Sequence, residues 1–490
     1  MSIDPHASSV DLAFASAGEL LDRLEEGTLT SVDLVNTLLE RARVIDSADG
    51  QIGLRSIAAF ATDALEIAAE CDATRARGVL CGPLHGLPVL IKDNIEAAGL
   101  PGQAGSTALS GRPARDAALV TRLRDAGAIV LGATNLSEWA NMRSPQSTSG
   151  WSASGGLVGN PWQLDRSAGG SSSGSGAAVA AGLAPLAVGT ETDGSIICPA
   201  SLSGLAGLKP TVGAVPTTGV IPLSASQDSP GPMARNVFDL MRLFAVLSGQ
   251  EVPTKYDKEI RFAVATNWRT GHGATDALFD QLVTNLKASG EIVIERIVAE
   301  ADAQVGGDEV AVLLAELKED LTSYLASRPG EGVKSLAEVI AYEDQHADIE
   351  QPYFGHEFFE QAQATAGRDE AYREARARNL AWAIETCLTP ALQDVEVLLA
   401  PGYAPAWKSD LTVGGHGSAL ASPATSPAAI AGWPIATVPM GLVGGLPVGV
   451  TLIARANDEW TLLNAARRIE AVVNATSPLP HPTFLAPQRG

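Results

Sequence analysis

The sequence has few cysteines and a shortage of positive charge. Four cysteines occur in 490 residues, and their spacing fits neither a metal site nor a disulfide framework. We therefore expect no metal ion, and the cysteines suit a reducing cytoplasm. Lysine and arginine number 34 against 56 acidic residues, which gives a formal net charge of −22. A surface of that sign repels nucleic acid and anionic membranes, so neither is expected as a partner.

A secretory signal and a membrane span are also missing from the pattern. The stretch 1–21 contains no basic region followed by a sustained apolar run. Residues 167–190 carry no charge, but they include many glycines and Pro185, which favour a buried helix followed by a strand. We therefore expect a cytoplasmic chain.

No histidine stands in an obvious catalytic setting. The seven histidines are His6, His85, His272, His346, His356, His416 and His481. A lysine is the alternative base, because the apolar run 87–91 predicts a buried strand that ends at Lys92. Burial lowers the pKa of a lysine, so that a neutral Lys92 can accept a proton at pH 7.

Two serine-centred turns, GGSSSG at 169–174 and TDGS at 192–195, are separated by a segment of small apolar residues. Such a segment packs closely and holds both turns rigidly. Backbone N–H groups of the second turn can converge on an anion, because Gly194 tolerates backbone angles closed to other residues. A nucleophilic serine needs a base and an oxyanion hole. Ser195 would adjoin such a hole, formed by Thr192, Asp193, Gly194 and Ser195 itself.

The same glycines suggest two other kinds of site. Residues 170–174 match the G-x-S-x-G elbow of α/β-hydrolases, but the strand that should precede it is missing and no histidine pairs with it. A phosphate cradle is also suggested, but no Gly-Lys-Ser/Thr follows. Both functions are therefore disfavoured.

Longer motifs run through most of the chain outside 251–395. They are HGLPVLIKDNI (85–95), ATNLSEWANMRS (133–144), GWSASGG (150–156), AGGSSSGSGAAVAAG (168–182), GTETDGSIICPA (189–200), GLKPTVG (207–213), SQDSPGPMAR (226–235), GWPIATVPMG (432–441) and GLPVGVTLIAR (445–455). In these motifs the chain resembles the amidase signature family of Ser-Ser-Lys amide hydrolases. Within that family it is most similar to the bacterial peptide amidases.

This resemblance implies a catalytic triad. Ser195 is then the nucleophile, Lys92 the general base, and Ser171 the bridging serine that relays the proton between them. The two serines are separated by 195 − 171 = 24 residues, as in the family. The bridging serine of the family follows a cis peptide bond, which here is Gly170–Ser171. Gly169 and Gly170 are expected to contact the substrate.

The nucleophile turn departs from the commoner form in the family, which is a Gly-Gly-Ser with an arginine two residues later. This chain has Asp193-Gly194-Ser195 and Ile197, which resembles the turn of the peptide amidases. Loss of the arginine removes a carboxylate-binding group. Asp193 further disfavours an anionic substrate beside the oxyanion hole.

The alternation of helices and strands, together with the resemblance, predicts an α/β fold with a central mixed β-sheet covered by α-helices on both faces. We expect one amidase domain, 1–490. Its parts are an N-terminal helical arm at 1–56, a core at 57–250 and 395–475, and a helical, substrate-facing region at 251–394. Tyr353 and Phe354, near Phe358 and Phe359, are predicted to bind substrate; the alternative is that these aromatic rings fill the core.

The expected activity is hydrolysis of an amide C–N bond through a Ser195 acyl-enzyme, without a cofactor. C-terminal peptide amides or other primary or aryl amides are the expected substrates. The alternatives are hydrolysis of carbamates or esters by the same residues, and the role of the A subunit in a tRNA-dependent amidotransferase, which requires partner subunits. We expect a monomer or a homodimer.

Overall fold

The computed structural model describes residues 12–48, 52–109, 111, 115–255, 259–415 and 420–484. Within these ranges, one large mixed sheet of 11 strands accompanies a separate pair, β4 and β5. The strands are β1 (Ile57–Phe60), β2 (Pro88–Lys92), β3 (Ile129–Thr134), β4 (Trp151–Ser152), β5 (Gly156–Leu157), β6 (Leu186–Glu191), β7 (Ala206–Lys209), β8 (Ser229–Ala234), β9 (Arg261–Ala265), β10 (Ile292–Arg296), β11 (Val397–Pro401), β12 (Ile435–Val443) and β13 (Leu446–Ile453).

Helices surround this sheet. The α-helices are α1 (Ala17–Glu25), α2 (Ser31–Ile45), α3 (Ala64–Ala76), α4 (Ala118–Asp125), α5 (Ser173–Ala180), α6 (Ile197–Ser203), α7 (Val237–Ser248), α8 (Gly273–Ala288), α9 (Ala303–Ser327), α10 (Leu336–Gln345), α11 (Ala347–Glu350), α12 (Glu357–Ala364), α13 (Glu370–Leu380), α14 (Thr389–Ala391), α15 (Thr425–Ala431) and α16 (Glu459–Thr476). A short 3-10 segment covers Glu138–Asn141, and a π-helical segment, Ala381–Leu388, joins α13 to α14. None of the helices in the described ranges has the length and apolar character that crossing a bilayer needs.

The large sheet has the order β1-β3-β2-β6-β8-β7-β12-β13-β11-β9-β10. Strand β2 lies parallel to both β3 and β6, and β6 is antiparallel to β8. Strands β2 and β6 are buried at every residue, and such strands need cover on both faces of the sheet. The predicted α/β fold with a mixed sheet is therefore confirmed.

Helix α5 follows the first serine turn and is also buried at every residue. Its sequence, SGSGAAVA, allows close approach because the side chains are small. A Cβ atom at Gly174 would lie 2.2 Å from the carbonyl oxygen of Ser56 and 2.4 Å from that of Asn135, so that only glycine fits there. The helix is therefore seated tightly and fixes the turn that precedes it.

The region 251–394 differs from the helical prediction in one respect. It contains two strands, and β9 pairs in parallel with both β10 and β11, which extends the large sheet at one end. The rest of the region is mainly helical. Leu317 and Leu321 of α9 share a buried cluster with Trp139 and Leu223. The boundaries of the predicted parts of the domain remain a prediction.

Candidate active site

Lys92 is the last residue of β2 and is fully buried. Its Nζ atom donates a hydrogen bond of 2.7 Å to Ser171 Oγ. It also donates to Thr190 of the neighbouring strand β6, at 2.9 Å to Oγ1 and at 3.3 Å to the carbonyl oxygen. The pairing of β2 with β6 therefore places the amine beside the first serine turn.

The buried position changes the acidity of this amine. Burial lowers the pKa of Lys92 to about 7, against the opposing attraction of the Asp228 and Glu191 carboxylates. A large fraction of the amine is therefore uncharged at neutral pH, and an uncharged amine can accept the proton of the Ser171 hydroxyl. Asn94 donates to Thr190 Oγ1 at 3.0 Å, which holds that hydroxyl next to the amine.

The two serine turns are joined through their backbones. The peptide bond Gly170–Ser171 is cis. The N–H of Ser172 donates to the carbonyl of Ser195 at 3.0 Å, and the carbonyl of Ser171 accepts from the N–H of Ser137 at 3.1 Å. Among the hydrogen bonds of the described residues, none joins the hydroxyls of Ser171 and Ser195. Catalytic contacts of this kind often tighten only when a substrate binds.

The second turn presents a row of unused donors. In the described part of the chain, the backbone N–H groups of Thr192, Asp193, Gly194 and Ser195 donate to no other protein group. Gly194 has a φ angle of +76°, and a Cβ atom on it would lie 2.5 Å from Tyr403 Oη. Glycine thus permits both the left-handed backbone and the close approach of the tyrosine. These N–H groups can converge on an oxyanion.

The turn is anchored at both ends by carboxylates. Thr192 Oγ1 donates to Asp228 Oδ1 at 2.6 Å, at the start of the turn. After the turn, the N–H groups of Ile196 and Ile197 donate to Glu191 Oε2 at 2.6 and 2.9 Å. Burial raises the pKa of the Glu191 carboxyl, which the nearby Lys209 ammonium opposes. The direction in which the free N–H groups point is therefore set by groups outside the turn.

A cavity of about 370 Å³ opens beside Ser195. Its wall combines one carboxylate with several apolar and aromatic side chains. The lining residues are Ala140, Asn141, Met142, Ser149, Gly170, Thr192, Asp193, Ser195, Cys198, Leu223, Leu313, Tyr403, Trp407 and Ala421. Of the histidines within the described ranges none lines this cavity, and His6 and His416 lie outside those ranges.

The predicted site residues fall into two groups. The residues of the two turns come together with Lys92. The cavity is lined by Gly170, Thr192, Asp193 and Ser195, and beside it Lys92 and Ser171 are fully buried. Gly169 packs against Pro199, and Gly194 packs against Tyr403. The predicted aromatic residues lie elsewhere. Tyr353 and Phe354 pack against Trp151, with ring centroids 5.6 and 5.0 Å apart, and neither is part of the cavity lining. Phe359 is buried against Trp139. The predicted contact of Tyr353 and Phe354 with substrate therefore stays a prediction.

Several cavity residues were not singled out from the sequence. Met142 and Asn141 belong to the motif ATNLSEWANMRS, and the family resemblance of that motif was the available signal. Tyr403 and Trp407 follow strand β11, and residues in loops just beyond a strand end are common in binding sites. Leu313 lies in the middle of a long helix and carries no comparable signal.

The wall formed by residues 138–143 is held by buried charges. Trp139, Ala140 and Asn141 have φ angles of 46°, 54° and 69°, a left-handed run without glycine. Arg143, which is fully buried, pairs with Glu138 and donates to the carbonyl of Phe354 at 3.1 Å. Such backbone angles persist only where the surroundings enforce them. The ion pair supplies part of that enforcement.

Three carboxylates that are close enough together to hold a metal ion lie behind the same wall. Carboxylate oxygens of Glu138, Glu343 and Glu350 come within 4.8 Å of one another, and all three residues are buried. Each carboxylate already has protein donors: Arg143 for Glu138, Trp139 Nε1 for Glu343 at 2.9 Å, and Ser106 Oγ for Glu350 at 3.0 Å. We therefore assign the cluster a structural role.

The comparisons with known proteins agree with this geometry. A profile of the Amidase family matches residues 33–463. A putative amidase of Arthroderma benhamiae is 40% identical over 279 residues, an alignment that spans 53% of this chain and about half, 47%, of the fungal protein. The A subunit of the glutamyl-tRNA(Gln) amidotransferase of Symbiobacterium thermophilum is 32% identical over 479 residues, covering 92% of this chain and 95% of the bacterial one.

The solved structure of the native peptide amidase from Stenotrophomonas maltophilia is also similar. It is 39% identical, with a TM-score of 0.88, and the match covers 96% of this chain and 98% of that one. The chain belongs to the amidase family, as the motifs predicted, and it is an amidase by family and by fold.

Proposed function

We propose that this chain hydrolyses a carboxylic amide through an acyl-enzyme on Ser195, with Lys92 as the general base and Ser171 as the relay. The hydrogen bond of 2.7 Å between Lys92 Nζ and Ser171 Oγ carries this proposal. This hydrogen bond joins Ser171 to a base, Lys92, whose pKa is lowered to about 7 by burial. The next residue in the chain, Ser172, donates a backbone hydrogen bond to the carbonyl of Ser195.

The proposed reaction has two steps, acylation of Ser195 and hydrolysis of the acyl-enzyme, which use the same proton path. Ser195 Oγ attacks the amide carbonyl carbon while its proton passes to Ser171 Oγ, and the Ser171 proton passes to the neutral Lys92 amine. The free N–H groups at 192–195 bind the oxyanion. The proton then returns through Ser171 to the leaving nitrogen, and the C–N bond breaks. Water hydrolyses the acyl-enzyme along the same path, which regenerates the Ser195 hydroxyl.

The cavity supports an uncharged amide as the substrate. Met142, Leu223 and Trp407 give it apolar walls, whereas Asp193 is an acidic group beside Ser195. An anionic substrate would meet that carboxylate, so that amidated peptides are favoured over peptides with a free C-terminal carboxylate. The similarity to a peptide amidase supports the same substrate class.

A second candidate is suggested by the likeness to the A subunit of an amidotransferase. That role requires partner subunits, whereas hydrolysis by the chain alone does not. Carbamate or ester hydrolysis is a third candidate, because an acyl-enzyme can also form with an oxygen leaving group. Assay of the purified chain without partners separates the first two, and the choice of leaving group separates the third.

We expect the purified chain to release ammonia from C-terminally amidated peptides and to lose this activity in Ser195→Ala. Loss of a serine nucleophile lowers kcat by about 10⁶-fold in a comparable triad. The measurement is ammonia release from a panel of peptide amides, beside an anilide and a carbamate. Ser203→Ala is the matched control: Ser203 is buried in α6, its hydroxyl has no partner among the described residues, and it lies outside the cavity lining.

Three results of this panel are distinguishable. Release from the peptide amides that is lost in Ser195→Ala and kept in Ser203→Ala supports the proposal. Cleavage of the anilide or carbamate alone, still dependent on Ser195, keeps the mechanism and replaces the substrate. Turnover that survives in Ser195→Ala contradicts the proposed nucleophile.

Amide hydrolysis is also expected to increase between pH 6 and pH 8. The active form of Lys92 is the neutral amine, and burial lowers its pKa to about 7. The fraction of active enzyme therefore rises as the pH passes through that value. The measurement is kcat/KM for a peptide amide at half-unit intervals of pH. A flat profile over this range, with chemistry limiting the rate, would rule out Lys92 as the titrating base.

A further inference from the structure

The carboxyl group of Asp193 has an unusual partner. Asp193 lies in the turn that presents the free N–H groups, and its Oδ2 atom accepts a hydrogen bond of 2.8 Å from Ser426 Oγ. Its Oδ1 atom is buried, and the Thr425 hydroxyl also interacts with this carboxyl group. The carboxyl group of Glu309, from helix α9, interacts with the Asp193 carboxyl as well. Two acidic side chains therefore meet directly behind the turn.

Such a contact requires a proton. Ionised carboxylates only accept hydrogen bonds, so one of the two groups has to carry hydrogen for them to bond. Gln227 Nε2 donates to Glu309 Oε1 at 3.0 Å, and the carboxyl hydrogen then belongs on the other Glu309 oxygen, facing Asp193. Burial, followed by the nearby Asp193 charge, raises the pKa of Glu309 to about 8. Burial and the Asp193 charge thus both favour a pair that shares one proton.

Other charged groups face the pair from several elements. Lys209 of β7 acts on Asp193, and Arg376 of α13 acts on Glu309. Glu191 of β6 lies on the Lys209 side, and the Tyr403 phenol, whose pKa burial raises, adjoins Asp193. Together with the Glu191 carboxylate, a singly ionised pair places two negative charges against the two cations, whereas a doubly ionised pair places three. Loss of the shared proton would place a second negative charge beside the position at which an oxyanion forms.

We propose that Glu309 is a positioning residue for amide hydrolysis, which shares a proton with Asp193 and so holds the oxyanion turn in its working conformation. This inference depends on the proposed function of Ser195. Asp193 contributes both its N–H to the turn and its side chain to the shared proton. Glu309 reaches it from α9, and Leu313, one helical turn further along α9, lines the cavity. When the pair loses its proton, repulsion between the two carboxylates disturbs the turn, and activity falls at alkaline pH.

The variant Glu309→Gln tests this pairing directly. Its amide oxygen can still accept from Gln227, and its amide N–H can donate to Asp193, but it has no proton to lose. We expect Glu309→Gln to keep kcat at pH 7 within about threefold of the wild type, since the donor is conserved. We also expect it to lose the decline of kcat/KM above pH 8 that the proposal predicts for the wild type. Glu309→Ala lacks the donor, and its kcat is expected to fall about tenfold or more with little change in KM.

A purely structural role for Glu309 predicts something different. Both variants would then lower the melting temperature, and the alkaline decline would stay where it is in the wild type. An unchanged alkaline decline in Glu309→Gln, or a wild-type kcat in Glu309→Ala, would overturn the proposal.

An infrared difference spectrum separates this inference from the proposed function, because it needs no turnover. The wild type at pH 7 should show a protonated carboxyl band that is absent from Glu309→Gln and shifted or lost in Asp193→Asn. An active enzyme without this band refutes the shared proton and leaves the proposed function intact. A preparation that shows the band but cleaves none of the peptide amides, the anilide or the carbamate refutes the proposed function and keeps the pair.

Discussion

Lys92→Met is expected to lower kcat for amide hydrolysis by about 10⁴-fold or more, because it removes the group that accepts the proton of the nucleophile. Methionine has nearly the length of the lysine chain and is apolar, so it fills the same buried space. For the chemistry, the important change is that the hydrogen bond of 2.7 Å to Ser171 Oγ can no longer form. Single-turnover assay with a peptide amide measures the effect on acylation.

The same substitution is expected to change stability in a pH-dependent way. The ordinary pKa of this amine is 10.5, and in the folded chain it is lowered to about 7. Between these values the unfolded chain binds one more proton than the folded chain, so the folded wild type gains stability as the pH rises. Below about pH 7 the ammonium is buried with its charge. Lys92→Met should therefore have a higher free energy of unfolding than the wild type at pH 6, and this difference should shrink toward pH 10. Urea unfolding at the two pH values measures it.

The other buried lysine gives the matched comparison. Lys209 is also fully buried, but its Nζ contacts the carbonyl of Pro210 at 3.4 Å and does not reach Ser171. Lys209→Met removes a buried cation and leaves the bond between Lys92 and Ser171 in place. Its loss of kcat should be much smaller than that of Lys92→Met. Equal losses in the two variants would indicate a general effect of charge and would contradict the role of Lys92 as the base.

Arg143→Met is expected to lower the free energy of unfolding by about 3–5 kcal/mol, since breaking a buried ion pair leaves one charge uncompensated. Arg143 pairs with Glu138, and both side chains are almost completely buried, at 0% and 1% exposure. The guanidinium also lies 4.5 Å from the centroid of the Phe354 ring. Its loss leaves the Glu138 carboxyl group beside Glu343 and Glu350 without a cationic partner among the residues that the structure describes. Chemical unfolding monitored by tryptophan fluorescence gives the value.

An exposed pair is the control for this effect. Arg373 and Glu370 form an ion pair at 2.7 Å, but they are 61% and 74% exposed, so Arg373→Met should change stability far less than Arg143→Met. Adding Glu138→Gln to Arg143→Met should restore part of the loss, because the unpaired charge is then removed. A loss in Arg143→Met no larger than in Arg373→Met would contradict this account of the 138–143 wall.

The sequence predicted those parts of the fold that depend on local pattern. The apolar run before Lys92 became β2, and the uncharged stretch 167–190 contains α5 and most of β6, because a buried helix or strand can be recognised within ten residues or so. The turns at 169–174 and 192–195 could also be predicted from local sequence, because glycine indicates backbone conformations that other residues rarely adopt.

The features of the structure that the sequence did not predict depend on contacts between segments that are distant in the chain. Strands β9 and β10 have only five residues each and lie between charged helical segments, so their periodicity is short and they form only by joining the existing sheet edge. Tyr353 and Phe354 were predicted to bind substrate because aromatic residues cluster there, and that role stays a prediction. In the structure both rings pack against Trp151, and Arg143 donates to the carbonyl of Phe354. A contact such as that of Glu309 with Asp193, 116 residues apart (309 − 193 = 116), has no local signature at all.

The way in which the cavity wall is assembled makes selectivity open to engineering. Among the described residues of 251–394, Leu313 alone lines the cavity, and it stands on the face of α9 that also carries Glu309. A mutant library restricted to Leu313, Leu223 and Trp407 would change the shape of the cavity without altering Lys92, either serine turn or the buried pair behind them. Directed evolution of such a small set can be screened exhaustively, and each variant keeps the same catalytic machinery as its parent.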